Sequence, residues 1–321
     1  MSPEIKIEAV ENSDFSKISL SNYDHVPVKT QYSSKPIYKN LNYNSVETLE
    51  PVLNFEVFED DLWLISYPKC GTTWSQEMVW CLMNNMDFET SKKVDIAEKS
   101  PYLEWTLDVV EKCKGLPRPR FITSHEEMQL LPKELWTKRP KIIFVVRDPR
   151  DVFVSFHHHY KYFYGKSFTQ DRETFIEGRM KYGNFYELVL NFYSLKNQEN
   201  NVLFLSYEQM KKNLKSVVLK VSDFLGKHYN EVQIDKLVEH LDFKNMKNNP
   251  SCSHKKELEL VRKVKNIKEE DIVEGTTFIR KGVVGSHKEE LSEEFLKKID
   301  DWERSYLEKE NLTLKDILWS N

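Results

Sequence analysis

The sequence predicts an α/β fold, a single domain built around a central parallel sheet that is flanked by helices. Four short apolar runs are rich in β-branched and aromatic residues, and the clearest, at 141–147, has the composition of a strand buried on both faces. Segments of helical periodicity follow the first, third and fourth runs. Such alternation is typical of parallel sheets, in which a helix connects one strand to the next.

Composition limits the class of protein. The 321 residues are 31% charged and 40% hydrophobic, which is typical of a globular chain. A net charge of -4 gives no general attraction for nucleic acid, so a basic site must be a local pocket. The 4 cysteines form no C-x-x-C pair and no dense framework, which indicates reduced thiols and no zinc site.

The chain also lacks the patterns that direct a protein to a membrane. Residues 1–17 have no apolar core of the kind that a secretory signal needs. No apolar run approaches the ~20 residues that span a bilayer. We therefore expect a cytoplasmic protein without membrane or nucleic-acid partners.

The N-terminal part differs from the rest. Residues 1–55 are polar and weakly periodic, which predicts an irregular arm, and residues 56–321 form the predicted domain. The aromatic residues of the arm are expected to pack onto the core of that domain: Tyr23, Tyr32, Tyr38 and Tyr43.

The first strand of the domain, at 61–67, leads through a turn into a helix predicted from about Thr73 to Met86. Apolar residues recur in this helix at a spacing that should face the sheet: Trp74, Met78, Cys81 and Leu82. The second strand is expected at 120–123. The third, at 141–147, should lie at the centre of the sheet.

Asp148 and Pro149 mark the start of the next helix, because aspartate caps a helix and proline fits its first turn. This helix is expected to reach about Tyr162. Two further helical patterns over 172–198 are separated at Gly183.

The last third of the chain begins with a fourth strand at 201–207, which feeds a helix at 208–225. Residues 248–285 are lysine-rich and weakly periodic, which predicts a long functional loop. A charged amphipathic helix over 292–310 closes the sequence.

The turn after the first strand has the residues of an anion site. It combines Lys69, Gly71 and two threonines at a point where a strand hands over to a helix. Backbone N–H groups and the positive end of the helix converge there, which suits phosphate or sulfate oxygens. A Walker A loop places lysine after its second glycine, whereas Lys69 precedes Gly71. The turn is therefore P-loop-like, but it lacks the lysine order and magnesium-binding hydroxyl of a P-loop kinase.

Further polar residues follow the other strands. Ligands of open α/β sheets lie beyond the carboxyl ends of the strands, and there the chain carries Lys69, His125, Arg147 and Tyr207. Ser155 lies about two helical turns beyond Arg147, so the two could hold a second anion. The arrangement suits a ligand with two phosphate groups.

Some of these residues also have simpler interpretations. Arg147 alone could form an ion pair with Asp148 or Asp151, and His125 could be a satisfied core histidine. Cys70 could be a reactive thiolate at a helix N-terminus, or a small residue that lets an anion approach. The consecutive histidines at 157–159 point in different directions on a helix, which favours aromatic filling over a metal site.

Taken together, the motifs resemble those of the cytosolic sulfotransferases, which read Y-P-K-S-G-T-T-W, K-T-H-L-P and R-N-P-x-D-x-x-V-S. The matching segments are Tyr67–Trp74, Thr123–Glu127 and Arg147–Ser155, and a late signature, R-K-G-x-x-G, matches Arg280–Gly285. On these motifs, which span about 54–288, the chain is identified as a member of that family.

The resemblance implies transfer of a sulfonate group from 3′-phosphoadenosine 5′-phosphosulfate (PAPS), the co-substrate, to a hydroxyl or amine of a small hydrophobic acceptor such as a phenol or alcohol. It implies no metal. His125 would be the general base, Lys69 would stabilise the leaving group, and Ser155 would complete the catalytic set. A catalytically weak protein of the same fold that binds the nucleotide or a hydrophobic ligand is the alternative.

The resemblance also assigns the nucleotide site. The 5′-phosphosulfate would lie at the first turn, and Trp74 would stack on the adenine; the turn residues are Lys69, Cys70, Gly71, Thr72 and Thr73. The 3′-phosphate would be held by Arg147, Ser155, Arg280, Lys281 and Gly282. The remaining nucleotide contacts would be Tyr207, Phe243, Met246, Phe278 and Ile279.

The chain departs from the family pattern at several positions. Thr123 replaces a lysine that is expected to contact the transferred group. Glu126 and Glu127 replace Leu-Pro, which would place carboxylates near the acceptor mouth, where they could raise the pKa of His125 or select a polar or cationic acceptor. Leu241 and Asp242 replace a hydroxyl pair, so an adenine contact could be lost. A degraded dimer motif over 288–297 leaves a homodimer possible.

The sulfonate acceptor itself is not named by the sequence. Aromatic and apolar residues could line its pocket or belong to the core: Tyr102, Leu103, Trp105, His159, Tyr160, Tyr162, Phe163 and Tyr164.

Overall fold

The computed structural model describes residues 3–11, 13, 15–40, 46–165 and 172–320. Its strands are β1 (Ile5–Ala9), β2 (Phe15–Leu20), β3 (Ile37–Asn40), β4 (Leu62–Ser66), β5 (Phe121–Ser124), β6 (Lys141–Val146) and β7 (Val202–Ser206). The first three strands form a small antiparallel sheet, and the other four form a parallel sheet in the order β5-β4-β6-β7. The predicted α/β fold with a central parallel sheet is confirmed.

Helices surround this sheet. They are α1 (Val46–Leu53), α2 (Thr72–Met83), α3 (Phe88–Lys93), α4 (Ile96–Lys99), α5 (Leu107–Lys114), α6 (Glu134–Lys138), α7 (Pro149–Tyr164), α8 (Arg172–Ile176), α9 (Phe185–Lys196), α10 (Tyr207–Lys212), α11 (Leu214–Leu225), α12 (Glu231–His240), α13 (Phe243–Asn248), α14 (Lys255–Val264), α15 (His287–Glu290), α16 (Glu293–Leu307) and α17 (Leu314–Leu318). Short 3-10 turns lie at Met128–Leu130, Pro250–Cys252, Glu269–Asp271 and Glu308–Glu310. No helix within the described residues is both long and apolar enough to cross a bilayer.

The sheet divides the core into two layers. Successive side chains of β6 point to opposite faces, so Phe144 packs with α7 and α9 while Val145 packs with α2 and α11. β4 is buried along its whole length, as is β7. Burial on both faces explains why these strands are continuous apolar runs rather than alternating ones.

The helices that begin at the carboxyl ends of β4 and β6 start close to the predicted positions. α2 follows Gly71 and ends at Met83 rather than Met86, because Asn85 and Met86 adopt left-handed backbone angles, with φ of 52° and 59°. In α7, the Asp148 side chain accepts a hydrogen bond from the backbone N–H of Arg150, and Pro149 occupies the first position. Both helices therefore begin at the edge of the sheet where a ligand would lie.

The N-terminal segment is not irregular, contrary to the prediction. It contains the antiparallel sheet and α1, and Ile18 of β2 packs with Leu53 of α1 and Leu130 of the domain. These short, half-exposed strands give a weak sequence pattern, and their core forms only through contacts distant along the chain. Tyr32 is buried and Tyr23 is partly buried, but Tyr38 is 40% exposed, and Tyr43 lies outside the described residues.

Two other predictions also need correction. The helix predicted at 208–225 is two helices, because Asn213 ends α10 and its side chain caps α11 by accepting a hydrogen bond from the backbone N–H of Ser216. The loop predicted at 248–285 contains the ten-residue helix α14. The sequence did not predict this helix because most of its residues are charged and only a short apolar stripe packs against α7.

Candidate active site

A single cleft at the carboxyl ends of the parallel strands brings together all of the predicted site residues except Cys70. These are Lys69, Gly71, Thr72, Thr73, Trp74, His125, Arg147, Ser155, Tyr207, Phe243, Met246, Phe278, Ile279, Arg280, Lys281 and Gly282. Cys70 lies beneath the turn and is fully buried, and burial raises the pKa of its thiol well above the usual range. It is therefore not the reactive thiolate that its position allowed.

The turn between β4 and α2 has a backbone that few residues could adopt. Lys69 and Gly71 have φ angles of 70° and 101°. A Cβ atom at position 71 would lie 2.9 Å from the ring of Tyr207, so the turn needs glycine for space as well as for conformation. Among the described residues no side chain caps α2, whose first N–H groups therefore remain at the mouth of the cleft.

Lys69 is half-buried beside a histidine and an aromatic ring. Its Nζ lies 3.3 Å from Nδ1 of His159 and 4.2 Å from the ring centre of Phe278. Burial, followed by the charge of Arg147, lowers the pKa of Lys69 to about 7. An anion bound beside the ammonium group would favour its charged form.

His125 is held in one tautomer. Its Nδ1 lies 2.6 Å from the backbone carbonyl oxygen of Ser66, and because a carbonyl only accepts, Nδ1 carries the hydrogen. Nε2 is then the unprotonated nitrogen, and the ring lines the cleft. Burial lowers the pKa of His125 to about 3, with smaller contributions from the charges of Lys181 and Lys69. The imidazole is therefore neutral at physiological pH, as a general base must be.

Arg147 lies at the other end of the cleft. Its guanidinium donates a 3.0 Å hydrogen bond to the carbonyl oxygen of Val283, stacks 4.2 Å from the ring centre of Tyr207 and lies 3.5 Å from the carboxylate of Asp151. The ion pair that the sequence allowed thus forms with Asp151, whereas Asp148 pairs with Arg150. The Nε of Arg147 is buried without a hydrogen-bond partner among the described residues, so this guanidinium retains a donor for a ligand.

The segment at 280–283 is tied to Arg147 through Val283. At Gly282, with φ of 62°, a Cβ atom would lie 2.2 Å from the ring of Phe243, so glycine allows this close approach. Arg280 and Lys281 form ion pairs of 2.6 Å and 2.8 Å with Glu290 and Glu289. Two acidic residues of the degraded dimer motif therefore bind basic residues of the same chain.

Aromatic rings lie between the two basic ends. Trp74 donates from Nε1 to the carbonyl oxygen of Leu241 at 2.9 Å, and its ring lies 5.6 Å from that of Tyr207. Leu241 thus contributes its backbone, which its side chain gave no reason to expect. Asp242 caps α13 by accepting a hydrogen bond from the N–H of Lys244 and does not line the cleft.

Comparison with known proteins identifies the family. The model of the sulfotransferase domain matches residues 59–313, which is most of the chain. The chain belongs to the sulfotransferase family.

Its relatives cover nearly the same length. Luciferin sulfotransferase of Photinus pyralis is 33% identical over 82% of this chain and 76% of its own. Sulfotransferase 1E1 of Bos taurus is 34% identical, over 83% of this chain and 88% of its own. A mouse sulfotransferase solved in complex with PAP is 27% identical, covers 86% of this chain and 93% of its own, and has a TM-score of 0.67. Retinol dehydratase, solved with retinol and PAP, shares the fold, with a TM-score of 0.76 over 94% of this chain and 96% of its own at 23% identity.

Three of the residues in which this sulfotransferase departs from its family pattern, Thr123, Glu126 and Glu127, point away from the cleft. The hydroxyl of Thr123 lies 2.6 Å from that of Ser100 and accepts a hydrogen bond from Gln76. Glu126 pairs with the buried Lys39 of β3, and Glu127 accepts a 3.0 Å hydrogen bond from the backbone N–H of Asn184.

The expectation that these carboxylates lie at the acceptor mouth and raise the pKa of His125 is therefore wrong. Glu126 and Glu127 are each 1% exposed and do not line the cleft. Their partners come from the N-terminal sheet and from the start of α9, which no local pattern could reveal. The pKa of His125 is lowered rather than raised, because burial opposes the charged imidazole.

Only some of the aromatic and apolar residues proposed for the acceptor pocket line the cleft. Those that line the cleft are Tyr102, Trp105, His159, Phe163 and Tyr164, whereas Leu103, Tyr160 and Tyr162 do not. The ring of Tyr102 lies 4.8 Å from that of His125. This part of the cleft is thus an aromatic pocket that adjoins the imidazole of His125.

The sequence did not predict several of the residues that line the cleft. They include Glu104, Lys181, Tyr182, His254 and Glu257. Oε1 of Glu104 accepts a 2.6 Å hydrogen bond from the backbone N–H of His125, and burial together with the charge of Glu126 raises the pKa of Glu104 to about 7. These residues belong to connections without a recognisable motif, so only the folded chain brings them to the site.

A possible metal cluster lies elsewhere. Within the described part of the chain, Glu77, Cys81 and His240 come close enough to share an ion. The Nζ of Lys99 lies 2.5 Å from Oε2 of Glu77, so the positive charge is already supplied by a lysine. The cluster is better described as a buried ion-pair network in the layer beneath α2.

Proposed function

We propose that this sulfotransferase moves the sulfonate group of PAPS to a hydroxyl or amine group of a small, hydrophobic acceptor. The observation that carries the proposal is the 2.6 Å contact between Nδ1 of His125 and the carbonyl of Ser66. It leaves Nε2 as a base inside a cleft that also contains Lys69 and an uncapped helix N-terminus. Base and anion site are thus side by side.

The cleft has room and chemistry for a nucleotide with two anionic ends. We assign the 5′-phosphosulfate to the turn at 69–73 and the 3′-phosphate to Arg147, Ser155 and the segment at 280–282. The unpartnered Nε of Arg147 and the glycine turns at positions 71 and 282 support this assignment. Trp74 and Tyr207, which lie between the two ends, suit the adenine ring.

In the proposed reaction, Nε2 of His125 takes the proton of the acceptor hydroxyl, and the Ser66 carbonyl stabilises the imidazolium that forms. The acceptor oxygen bonds to sulfur as the bond from sulfur to the bridging oxygen breaks, and the bridging oxygen leaves with the nucleotide. Lys69 donates a hydrogen bond to that oxygen. General base catalysis typically contributes ~10²–10⁴-fold in rate, and a preorganised donor about 2.7–4 kcal/mol.

The low pKa of His125 is consistent with this role. The value of about 3 reflects the burial of the ring and the positive charges of Lys181 and Lys69. A dianionic phosphosulfate beside the ring favours the imidazolium and raises the pKa toward the range in which proton transfer is efficient. His125 is therefore expected to be a stronger base when the donor is bound.

The test is substitution of the base. His125→Ala is expected to lower turnover by at least ~10²-fold while the Kd for PAP stays close to that of the wild type. Turnover is measured with radiolabelled PAPS and a panel of phenols, alcohols and amines, and PAP binding by calorimetry. His228→Ala, in an exposed histidine outside the cleft, is the matched control.

Two outcomes would contradict the proposal. A His125→Ala variant that keeps most of its turnover would remove His125 from the mechanism. Nucleotide binding by the wild type without transfer to any acceptor would favour the alternative, a binding protein of the same fold.

A further inference from the structure

A second lysine lies near His125, on a segment that belongs to none of the sequence motifs. Lys181 is half-buried and lines the cleft together with Tyr182. Its Nζ lies 5.0 Å from the ring centre of Tyr182, and that ring lies 5.4 Å from the ring of His125. Lys181 therefore adjoins the general base on the side of the aromatic pocket.

The positive charges of Lys181 and Lys69 influence the pKa values of the same two histidines. The charges of both lysines lower the pKa of His125 and also that of His159, whose Nδ1 contacts Lys69. The other basic residues of the cleft lie elsewhere, with Lys211 beside Trp74 and the remainder around Arg147. The imidazole of His125 is thus close enough to two ammonium groups to be influenced by both of their charges.

The backbone that carries Lys181 is fixed by buried contacts. Met180 and Gly183 form a tight turn, closed by a 3.0 Å hydrogen bond from the N–H of Gly183 to the carbonyl of Met180. Glu127 accepts a hydrogen bond from the next backbone N–H, and a Cβ atom at position 183 would lie 2.3 Å from its Oε1. Glu127 and His125 both lie in the segment that follows β5, so the base and Lys181 share one support.

The strand β5 itself brings no cation to the cleft. Thr123, where the family pattern has a lysine, is bonded to Ser100 and Gln76 and does not line the site. A sulfonate group in transfer carries negative charge on three oxygens, and the proposed function places Lys69 on the leaving side. A cation on the acceptor side would complete the charge balance.

We infer that Lys181 is a second catalytic cation, which binds the non-bridging sulfonate oxygens during transfer. The inference rests on the proposed function. The bond between the acceptor oxygen and sulfur forms, the bond from sulfur to the bridging oxygen breaks, and the acceptor proton goes to Nε2 of His125. Lys181 makes and breaks no covalent bond, and it stabilises charge on the oxygens that remain with sulfur.

The experiment compares Lys181→Met with Lys181→Arg. The methionine variant is expected to lower kcat by ~10²–10³-fold, the usual effect of removing one preorganised donor, while the arginine variant keeps most of the activity. Lys196→Met is the matched control, because Lys196 also stacks on a tyrosine, at 5.2 Å, but lies outside the cleft.

Binding supplies a readout that does not depend on turnover. PAPS carries the sulfonate and PAP does not. Lys181→Met is therefore expected to raise the Kd for PAPS by about 10-fold, the usual effect of losing one charged hydrogen bond, and to leave the Kd for PAP unchanged. Calorimetry without an acceptor measures both values.

The possible outcomes separate the two proposals. Unchanged kcat and an unchanged ratio of PAPS to PAP affinity in Lys181→Met would overturn the role of Lys181 while the wild type still transfers sulfonate. A higher KM for the acceptor with normal kcat would also overturn it and assign Lys181 to an anionic group of the acceptor. Failure of the wild type to transfer sulfonate would overturn the proposed function and the catalytic role together.

Discussion

The burial of a neutral histidine in the cleft predicts a specific dependence of stability on pH. His125 has a pKa of about 3 in the folded chain, against an ordinary value of 6.5. Below pH 6.5 the unfolded chain therefore binds a proton that the folded chain does not. Stability falls as pH decreases from 6.5, and the loss from this group stops growing below pH 3.

The size of this loss of stability follows from the protonation of His125 in the unfolded chain. A pH of 5.0 is about 1.5 units below 6.5, the pKa of the imidazole in the unfolded chain, so that imidazole is protonated. The imidazole of the folded chain is still neutral at this pH. With about 1.4 kcal/mol per unit, His125 alone destabilises the fold by about 2 kcal/mol at pH 5.0 relative to pH 7.5. The side chain is 8% exposed, so solvent does not reduce this effect.

The assay uses His125→Asn, whose amide can still donate to the Ser66 carbonyl but does not titrate. Urea unfolding of wild type and variant at pH 7.5 and 5.0 gives two pairs of free energies of unfolding. We expect the wild type to lose about 2 kcal/mol more than the variant between these pH values. Equal losses in the two proteins would refute the assignment of His125 as a buried neutral base.

Two other predictions concern the anion sites. Gly71→Ala is expected to lower the free energy of unfolding by about 1–3 kcal/mol, because φ is 101° at this position and a Cβ atom would lie 2.9 Å from the ring of Tyr207. Calorimetric unfolding measures this loss, and PAP binding is expected to weaken as well. An unchanged melting temperature would contradict the strained turn. In Arg147→Met, the Kd for PAP is expected to rise by about 10-fold or more, whereas the Kd for adenosine 5′-phosphate, which lacks the 3′-phosphate, should not change. Equal weakening of both nucleotides would place Arg147 away from the 3′-phosphate, and a thermal melt of the variant checks that Asp151 tolerates the loss of its partner.

An acidic and a basic residue of the cleft both have pKa values near neutral pH. Burial lowers the pKa of Lys69 to about 7 and raises that of Glu104 to about 7, and both groups lie in the cleft with His125. A bound anionic donor favours charged Lys69 and neutral Glu104. Nucleotide binding is therefore expected to be accompanied by proton uptake near neutral pH.

The parallel sheet could be predicted because its strands are buried on both faces. Such strands must be continuous apolar runs, and β6 shows this at every position after Lys141. The small antiparallel sheet could not be predicted in the same way, since β1 is half-exposed and its pairing with β2 depends on a core shared with Leu130. Short surface strands leave too few constrained positions to produce a pattern.

The predicted site residues share one property, a fixed distance from the end of a strand or the start of a helix. His125 and Arg147 follow their strands directly and Lys69 lies in the turn just after its strand, so parallel pairing brings all three to one edge. Lys181 and Glu104 have no such relation to the sheet. Their approach to His125 depends on how two connections fold over the cleft.

By itself the sequence determined the family, the parallel sheet and the residues at the ends of its strands, because motifs and buried strands are constrained locally. Only the tertiary structure decided where the unusual residues point. Glu126 and Glu127 turn inward to Lys39 and Asn184, and Thr123 turns to Ser100. A buried polar group must find a partner, and that partner is supplied by parts of the chain that only folding brings near.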